Sequence, residues 1–272
     1  MNLENHFISQ FCNKNIGDDG ALIGNYVYSK DAFFENVHYK KEWLSYFDIA
    51  SKAMIVNISD AVAMNAQPKY ALLSVAMPKN MTKEDMKELA DGFKSVANKY
   101  DLEIIGGDTI SNTKLDITVT IISKTKNALL RTRVRENYLF AYTGQIGGAA
   151  QELKKLFNLG KIHKKSKFID IKLRNDFINK SQRLLKAGMD ISDGIFSDLD
   201  KIALINNIGI KFIKKMPKNL ACSGEEYEML VAFDARDIKA LKRRAQQSRT
   251  PLTIFARATR NKYINRCKAH HF

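Results

Sequence analysis

The chain has 272 residues, of which 45% are hydrophobic and 10% aromatic, and its formal net charge is +15. This length allows one large domain or two ordinary ones, and the apolar content excludes a chain that is disordered throughout. The positive charge is compatible with binding nucleic acid, an anionic membrane surface or phosphorylated small molecules, or with solubility alone.

The predicted elements of the first half mix strand pairs with helices. A helix over 48–65 is apolar on nearly all sides, and strand 70–77 is apolar throughout, so we expect this strand to be covered on both faces or to lie at an interface. The order favours an α+β fold over repeated βαβ units. The other predicted elements are helix 3–12, strands 21–23 and 26–29, a helix opened by a capping box at 82–85, and strands 102–105 and 115–121.

A domain boundary is predicted near 124–137, where a polar segment leads into a cluster of three arginines. We therefore expect one domain over 1–130 and a second over 131–272. The predicted elements of the second half are strand 138–143, a helix from 149, a helix ending at 206, strands 210–213 and 229–233, helix 235–247 and strand 252–258.

The three cysteines and five histidines give no metal-binding pattern. Cys12, Cys222 and Cys267 lack a Cys-x-x-Cys spacing, and no two histidines have helical ligand spacing, so nothing indicates a zinc site. Three separated thiols fit a reducing cytosol. No apolar run approaches the roughly 18 residues of a membrane span, and the N-terminus lacks a signal-peptide charge pattern. We expect a soluble, cytoplasmic protein.

Acidic turns and element ends recur along the chain. The stretch 188–199 carries Asp190, Asp193 and Asp198 between an apolar segment and a helical pattern. A single such turn is typical of a capped helix start, with Ser192 or Asp193 as the N-cap. Recurrent aspartates beside glycine, serine or threonine instead indicate hard-metal ligands that converge from distant loops. Similar acidic turns or element ends occur at 17–20, 29–31, 57–60 and 106–109, and the last is predicted as the turn that follows strand 102–105.

Phosphate-binding signals are weaker. Backbone amides at 144–148, before a predicted helix, could meet an anion or form only a tight turn. The arginines at 131, 133 and 135 suit phosphate contacts or a solvated connection. The chain contains no Walker-type phosphate loop and no protein-kinase motif set.

A set of short motifs follows in order along most of the chain. The motifs are Gly17-Asp18-Asp19, Ser29-Lys30-Asp31, Asn36-Val37-His38-Tyr39, 56–64 with its Asn57-Ile58-Ser59-Asp60 core, Gly106-Gly107-Asp108-Thr109, Met189-Asp190-Ile191-Ser192-Asp193-Gly194 and Gly224-Glu225-Glu226-Tyr227-Glu228. Taken in order, these motifs resemble those of the thiamine-monophosphate kinase family, within the ATP-binding superfamily that includes aminoimidazole ribonucleotide synthetase. The resemblance implies an N-terminal α+β domain that pairs across a homodimer, and a C-terminal α/β domain.

The resemblance also implies a role for individual residues, and direct in-line transfer of phosphate from ATP to thiamine monophosphate with several magnesium ions. If Asp190 and Asp193 both hold metal, we expect no Lys or Arg partner on either. The implied metal ligands are Asp19, Ser29, Asp31, Asp60, Asp108, Asp190 and Asp193; the implied ATP contacts are Gly107, Asp108, Arg131 and Ser192; the implied substrate contacts are His38 and Glu225.

Four positions depart from the family pattern. Lys30 stands where a threonine ligand is usual, and Ser223 and Glu226 replace a glycine and an aspartate. Ala269 occupies the place of an aromatic residue that stacks on substrate. Two alternatives stay open: another ATP-dependent synthetase of the same superfamily, and a basic nucleic-acid-binding protein, although no nucleic-acid-binding signature is present.

Overall fold

A computed structural model describes residues 3–11 and 13–268 and shows an α+β protein, as predicted. The helices are α1 (Leu3–Ile8), α2 (Tyr46–Ala63), α3 (Lys83–Tyr100), α4 (Gly148–Phe157), α5 (Asn175–Ser181), α6 (Ile195–Asn206), α7 (Lys218–Ala221) and α8 (Ile238–Gln247), with 3-10 turns at Lys41–Trp43 and Ala235–Asp237. The strands are β1 (Ala21–Ile23), β2 (Tyr26–Phe34), β3 (Gln67–Pro78), β4 (Glu103–Asn112), β5 (Asp116–Lys124), β6 (Leu139–Thr143), β7 (Leu185–Asp190), β8 (Gly209–Phe212), β9 (Met229–Phe233) and β10 (Leu252–Thr259).

The first sheet has five strands in the order β1-β2-β5-β3-β4, and it is antiparallel except for the β3–β4 pair. Successive side chains of each strand point to opposite faces of the sheet. On one face, residues such as Phe33, Ile117 and Ala71 are buried in the core formed with α2 and α3. The opposite face is open and presents side chains such as Tyr28 and Leu72. Of the two alternatives for strand 70–77, cover on both faces is wrong within one chain, because alternate residues of β3 are exposed, and a position at an interface stays a prediction.

Strand β4 corrects a second expectation. The segment 106–109 was predicted as a turn, but it lies inside β4 and pairs in parallel with β3. Gly106 and Gly107 both have φ of +149°. This is an extended conformation open almost only to glycine, so two glycines continue the strand instead of ending it. Every residue of β4 except Asn112 is exposed, because β4 is the edge of the sheet.

The second sheet has the order β7-β9-β6-β10-β8, and all of its pairs are antiparallel. Helix α6 packs on one face through Phe196 and Leu199, beside Phe140 of β6. Helices α5 and α8 belong to the core on the other face, which includes Phe177 and Leu241. That core continues into the first sheet through α2, which contacts β2, β5 and β7. Along the sequence, the strands of the first sheet all precede residue 125 and those of the second sheet all follow residue 138. The exact domain boundary stays a prediction.

Two cysteines predicted as free thiols are joined. Cys222, after α7, and Cys267 form a disulfide with their Cα atoms 5.6 Å apart. Their separation in sequence concealed the pairing, since the fold brings the end of the described chain beside α7. Cys12 lies outside the described residues. Among those that the structure describes, no helix is both long and apolar enough to cross a membrane.

Candidate metal and nucleotide site

Three aspartates from distant segments meet between the two sheets. Asp19 precedes β1, Asp60 lies in α2, and Asp190 ends β7. One carboxylate oxygen of each lies within 4.8 Å of the others. Asp31 of β2 lies close enough to raise the pKa of both Asp60 and Asp190. The structure thus brings together four of the seven predicted metal ligands.

Burial and mutual repulsion make this cluster unfavourable without a cation. Desolvation, followed by neighbouring carboxylates, raises the pKa of Asp60 and Asp190 well above the usual range. Desolvation and then Asp19 raise the pKa of Asp31 to about 6. The Oδ2 atom of Asp19 is buried and has no hydrogen-bond partner among the described residues. An all-oxygen group with an unsatisfied buried oxygen fits a hard divalent cation such as Mg²⁺.

The buried polar residues of α2 hold the cluster in place. Ser59 donates from Oγ to Oδ2 of Asp190, at 2.6 Å. Asn57 donates from Nδ2 to the carbonyl of Val119 and accepts from the Ser29 hydroxyl, at 2.8 Å. The Ser29 hydroxyl is therefore directed at Asn57, and its predicted role as a metal ligand stays a prediction. This network explains why polar residues occupy the interior of an otherwise apolar helix.

Two basic side chains are paired with predicted metal ligands. Arg131 donates from Nη2 to Oδ1 of Asp19 at 2.5 Å. Lys201 of α6 lies 2.6 Å from Oδ2 of Asp193 and 3.0 Å from Oδ1 of Asp198. The expectation that Asp193 has no Lys or Arg partner is therefore wrong. Sequence reasoning missed Lys201, although its i,i+3 spacing from Asp198 on a helix was a usable signal.

The loop after β7 is organised by its backbone. Gly194 is the N-cap of α6, with φ of 92°, so neither Ser192 nor Asp193 takes the predicted N-cap position. A Cβ at Gly194 would lie 2.9 Å from the carbonyl oxygen of Ala221. The carbonyl of Ser192 accepts from the amide of Glu225 at 2.7 Å, which fixes the acidic loop against the Glu225 segment.

The two predicted substrate contacts are connected by a buried lysine. Lys52 of α2 is 1% exposed and lies 2.7 Å from Oε2 of Glu225. Its ammonium group is 3.3 Å from the ring centroid of Phe168 and 5.9 Å from that of Phe33. The ring of His38 stacks on Phe33, and its Nδ1 accepts from the Phe34 amide at 2.9 Å. Sequence reasoning noted that Lys52 needed a partner but did not identify Glu225.

Asp108 and Gly107 are not brought to this cluster within one chain. Asp108 is exposed on β4 and pairs in register with Ser74. By alternation it lies on the open face of the first sheet, whereas Asp31 lies on the face that packs against α2. A Cβ at Gly107 would overlap the backbone of Leu73, which explains why this position is glycine.

The family departures have clear structural settings. Lys30 faces the open side of the sheet and donates to Thr118 at 3.0 Å, so its side chain points away from the cluster. Glu226 is 1% exposed and accepts from the Gly147 amide at the start of α4, at 2.7 Å. The anion that was predicted to meet the backbone amides at 144–148 is therefore the carboxylate of Glu226, from the same chain. Ser223 donates from its hydroxyl to the same carboxylate at 2.5 Å, and Ala269 lies outside the described residues.

Comparisons with known proteins agree with this geometry. Residues 17–125 match the family model for the AIR synthase related protein, N-terminal domain. The chain is 30% identical to a thiamine-monophosphate kinase of Bacillus subtilis, with 88% of this chain and 83% of that protein covered. It is 33% identical to the thiamine-monophosphate kinase of Buchnera aphidicola subsp. Schizaphis graminum, with 84% and 79% covered.

Solved structures show the same fold. A structure of AaThiL complexed with AMPPCP and TMP has a TM-score of 0.87 at 22% identity, covering 99% of this chain and 96% of its own. A HypE–HypF complex chain has a TM-score of 0.79 at 17% identity, covering 95% and 93%. At these identities the structures show the fold, whereas the sequence relatives show the family. The chain belongs to the thiamine-monophosphate kinase family.

Proposed function

We propose that the chain transfers a phosphate group from ATP to thiamine monophosphate, giving ADP and thiamine diphosphate. The observation that carries the proposal is the convergence of Asp19, Asp60 and Asp190 between the two sheets. Family membership supports the substrate, and so does the AaThiL structure, which is a complex with AMPPCP and TMP.

Magnesium would be held by Asp19, Asp60 and Asp190, with Asp31 beside them. Bound there, Mg²⁺ would neutralise phosphate charge during transfer. The protein's part is to hold four acidic side chains together and to keep the Asp190 carboxylate oriented through Ser59. Burial excludes water, and so strengthens each of these interactions. Several magnesium ions and in-line geometry belong to this proposal.

ATP would contact Arg131 and the backbone near Ser192. Arg131 already faces the cluster through Asp19, so a phosphate that binds there would compete for the same guanidinium. Its backbone amide is held by Asp18 at 2.6 Å, which fixes the base of the side chain independently of Asp19. The guanidinium group of Arg131 can therefore exchange Asp19 for a phosphate group while the backbone of Arg131 stays in place.

Thiamine monophosphate would bind at the side of the site that contains His38 and Glu225. Its phosphate is the acceptor, and with a second pKa near 6 it is largely ionised at neutral pH. Transfer to it therefore needs no strong general base, and the main requirement is to hold two anions together. Lys52, whose ammonium group lies near the rings of Phe33 and Phe168, keeps the Glu225 carboxylate in one position.

We also propose that the enzyme is a homodimer that pairs through the open face of the first sheet. This face and the edge strand β4 expose Tyr28, Tyr70, Leu72 and Ile110. Asp108 lies on this face, so its predicted roles in metal and ATP binding require Asp108 of the partner subunit. Location in the cytoplasm and the ATP contact of Gly107 stay predictions.

The test is product analysis. Purified protein should convert thiamine monophosphate and MgATP to thiamine diphosphate and ADP, identified by mass spectrometry. Asp60→Asn should abolish the product while Asp91→Asn, at an exposed residue of α3, retains it. Folding is checked by circular dichroism. Formation of ADP without thiamine diphosphate would contradict the assigned acceptor, and full activity of Asp60→Asn would contradict the assigned centre.

A further inference from the structure

We propose that Lys201 is a built-in cation that occupies the place of a divalent metal ion between Asp193 and Asp198. Metal ions are then bound by the Asp19, Asp60 and Asp190 cluster, and Asp193 is not a metal ligand in this chain. The inference rests on the proposed function for the identity of that cluster.

Two ion pairs hold the ammonium group of Lys201 in place. Its ammonium group lies 2.6 Å from Asp193 and 3.0 Å from Asp198, so one cation bridges two carboxylates. The second oxygen of Asp198 accepts from the Asp193 amide at 3.2 Å. Asp198 thus holds both the lysine and the loop that carries Asp193.

Burial of Asp198 explains why Lys201 stays in place. The Asp198 side chain is 0% exposed, whereas the Asp193 side chain is 30% exposed. A metal ion that displaced Lys201 from Asp193 would pull the ammonium group away from a fully buried carboxylate. Leaving a buried charge without its partner is strongly unfavourable.

Competition with Mg²⁺ also favours the lysine. Mg²⁺ loses its water shell reluctantly and binds protein sites best with phosphate oxygens as further ligands. Lys201 and Asp198 belong to the same helix at i and i+3, so their pairing needs no association from solution. The acidic stretch therefore has two parts: Asp190 faces the metal cluster, and Asp193 with Asp198 is neutralised from within the chain.

The experiment counts bound Mn²⁺ in the full chain by electron paramagnetic resonance of free Mn²⁺, without nucleotide or thiamine monophosphate. Lys201→Met should bind one more Mn²⁺ per chain than wild type, because the two carboxylates become available. Lys201→Met combined with Asp193→Asn should return to the wild-type number. Lys211→Met, at an exposed lysine of β8, is the matched control and should change nothing.

The same measurement on Asp193→Asn alone decides the question even if Lys201→Met fails to fold. An unchanged Mn²⁺ number and affinity supports the proposal; loss of one Mn²⁺ overturns it, as does an unchanged number in folded Lys201→Met. The metal count is independent of turnover. A chain that makes no thiamine diphosphate but shows this pattern therefore contradicts the proposed reaction and leaves the role of Lys201 standing.

Discussion

Lys52 is a buried cation whose ion-pair partner comes from the other half of the chain. Lys52→Met leaves the Glu225 carboxylate, which is 27% exposed, without its partner, so the free energy of unfolding should fall by about 1–3 kcal/mol. Urea denaturation followed by circular dichroism measures this. Lys87→Met, which breaks the exposed pair with Asp91 on α3, should leave the midpoint unchanged. Equal effects of the two substitutions would contradict the importance of burial.

Asp31 makes stability depend on pH when no metal is bound. Its pKa is raised to about 6 by burial and then by Asp19, whereas an unfolded Asp has a pKa near 3.9. Between these values the folded chain binds a proton that the unfolded chain has lost. The contribution of Asp31 to stability is therefore present at low pH and is lost as pH rises through about 6.

The corresponding measurement compares melting temperatures in EDTA at pH 5 and pH 7. Asp31→Asn should reduce the loss of stability between the two pH values, because the asparagine does not titrate. Saturating MgATP should reduce it in the wild type as well, since ligand binding favours the charged cluster. If Asp31→Asn keeps the full wild-type pH dependence, Asp31 is not the group responsible.

Residues with strong local patterns could be predicted, and residues that act through tertiary contacts could not. Asp60 and Asp190 stand in acidic segments whose local sequence alone predicts metal ligands, and the structure brings these two residues together. The Lys52–Glu225 pair joins two residues far apart in the chain. The local sequence around neither residue predicts this ion pair, because the pair depends on how the two halves of the chain pack against each other.

At the level of elements, Gly107 controls the approach of β4 to β3. Gly106 and Gly107 share φ of +149°, but a Cβ at Gly107 would overlap Leu73, whereas at Gly106 its nearest neighbour is at 3.8 Å. Gly106→Ala should destabilise through backbone strain, by about 1–3 kcal/mol. Gly107→Ala should destabilise more, because overlap is added. Chemical denaturation of both variants tests this, and a smaller effect at Gly107 would refute the explanation.

The same glycines show why element prediction failed at this place. A pattern such as that of β5, with alternating apolar residues, identifies a strand from sequence alone. A pair of glycines before an aspartate is typical of a turn, and only pairing with β3 keeps 106–109 extended. The position of helix α5 was not predicted for a related reason, since its seven residues are too few to show a helical period.

For the whole molecule, we expect a dimer of 30.9 kDa chains in solution. Ile110→Asp places a charge on the open face of the first sheet, where Ile110 is 58% exposed, and should give monomers. Leu204→Asp, at a residue of α6 that is 71% exposed, is the control and should remain dimeric. Light scattering at micromolar concentration distinguishes these results. A wild-type monomer would refute pairing through this face.

The Cys222–Cys267 disulfide closes a loop across a sequence separation of 45, which spans β9, α8 and β10. A loop of this length should stabilise by about 4 kcal/mol through the entropy of the unfolded chain. Dithiothreitol should therefore lower the melting temperature of the wild type. Cys222→Ser should show a lowered value that dithiothreitol does not change. An unaltered wild-type melting temperature in reductant would exclude a stabilising bond.

The strand order of the second sheet sets the order in which the chain can fold. Strand β10 lies between β6 and β8, and it pairs Leu252 with Thr143 across most of the second half. Loop closure over such distances is unfavourable until the final contacts form, so sheets of this kind assemble slowly. Before β10 arrives, β6 and β8 both present unpaired edges. The second sheet, whose strand β7 ends at Asp190, is therefore complete only when β10 has inserted between β6 and β8.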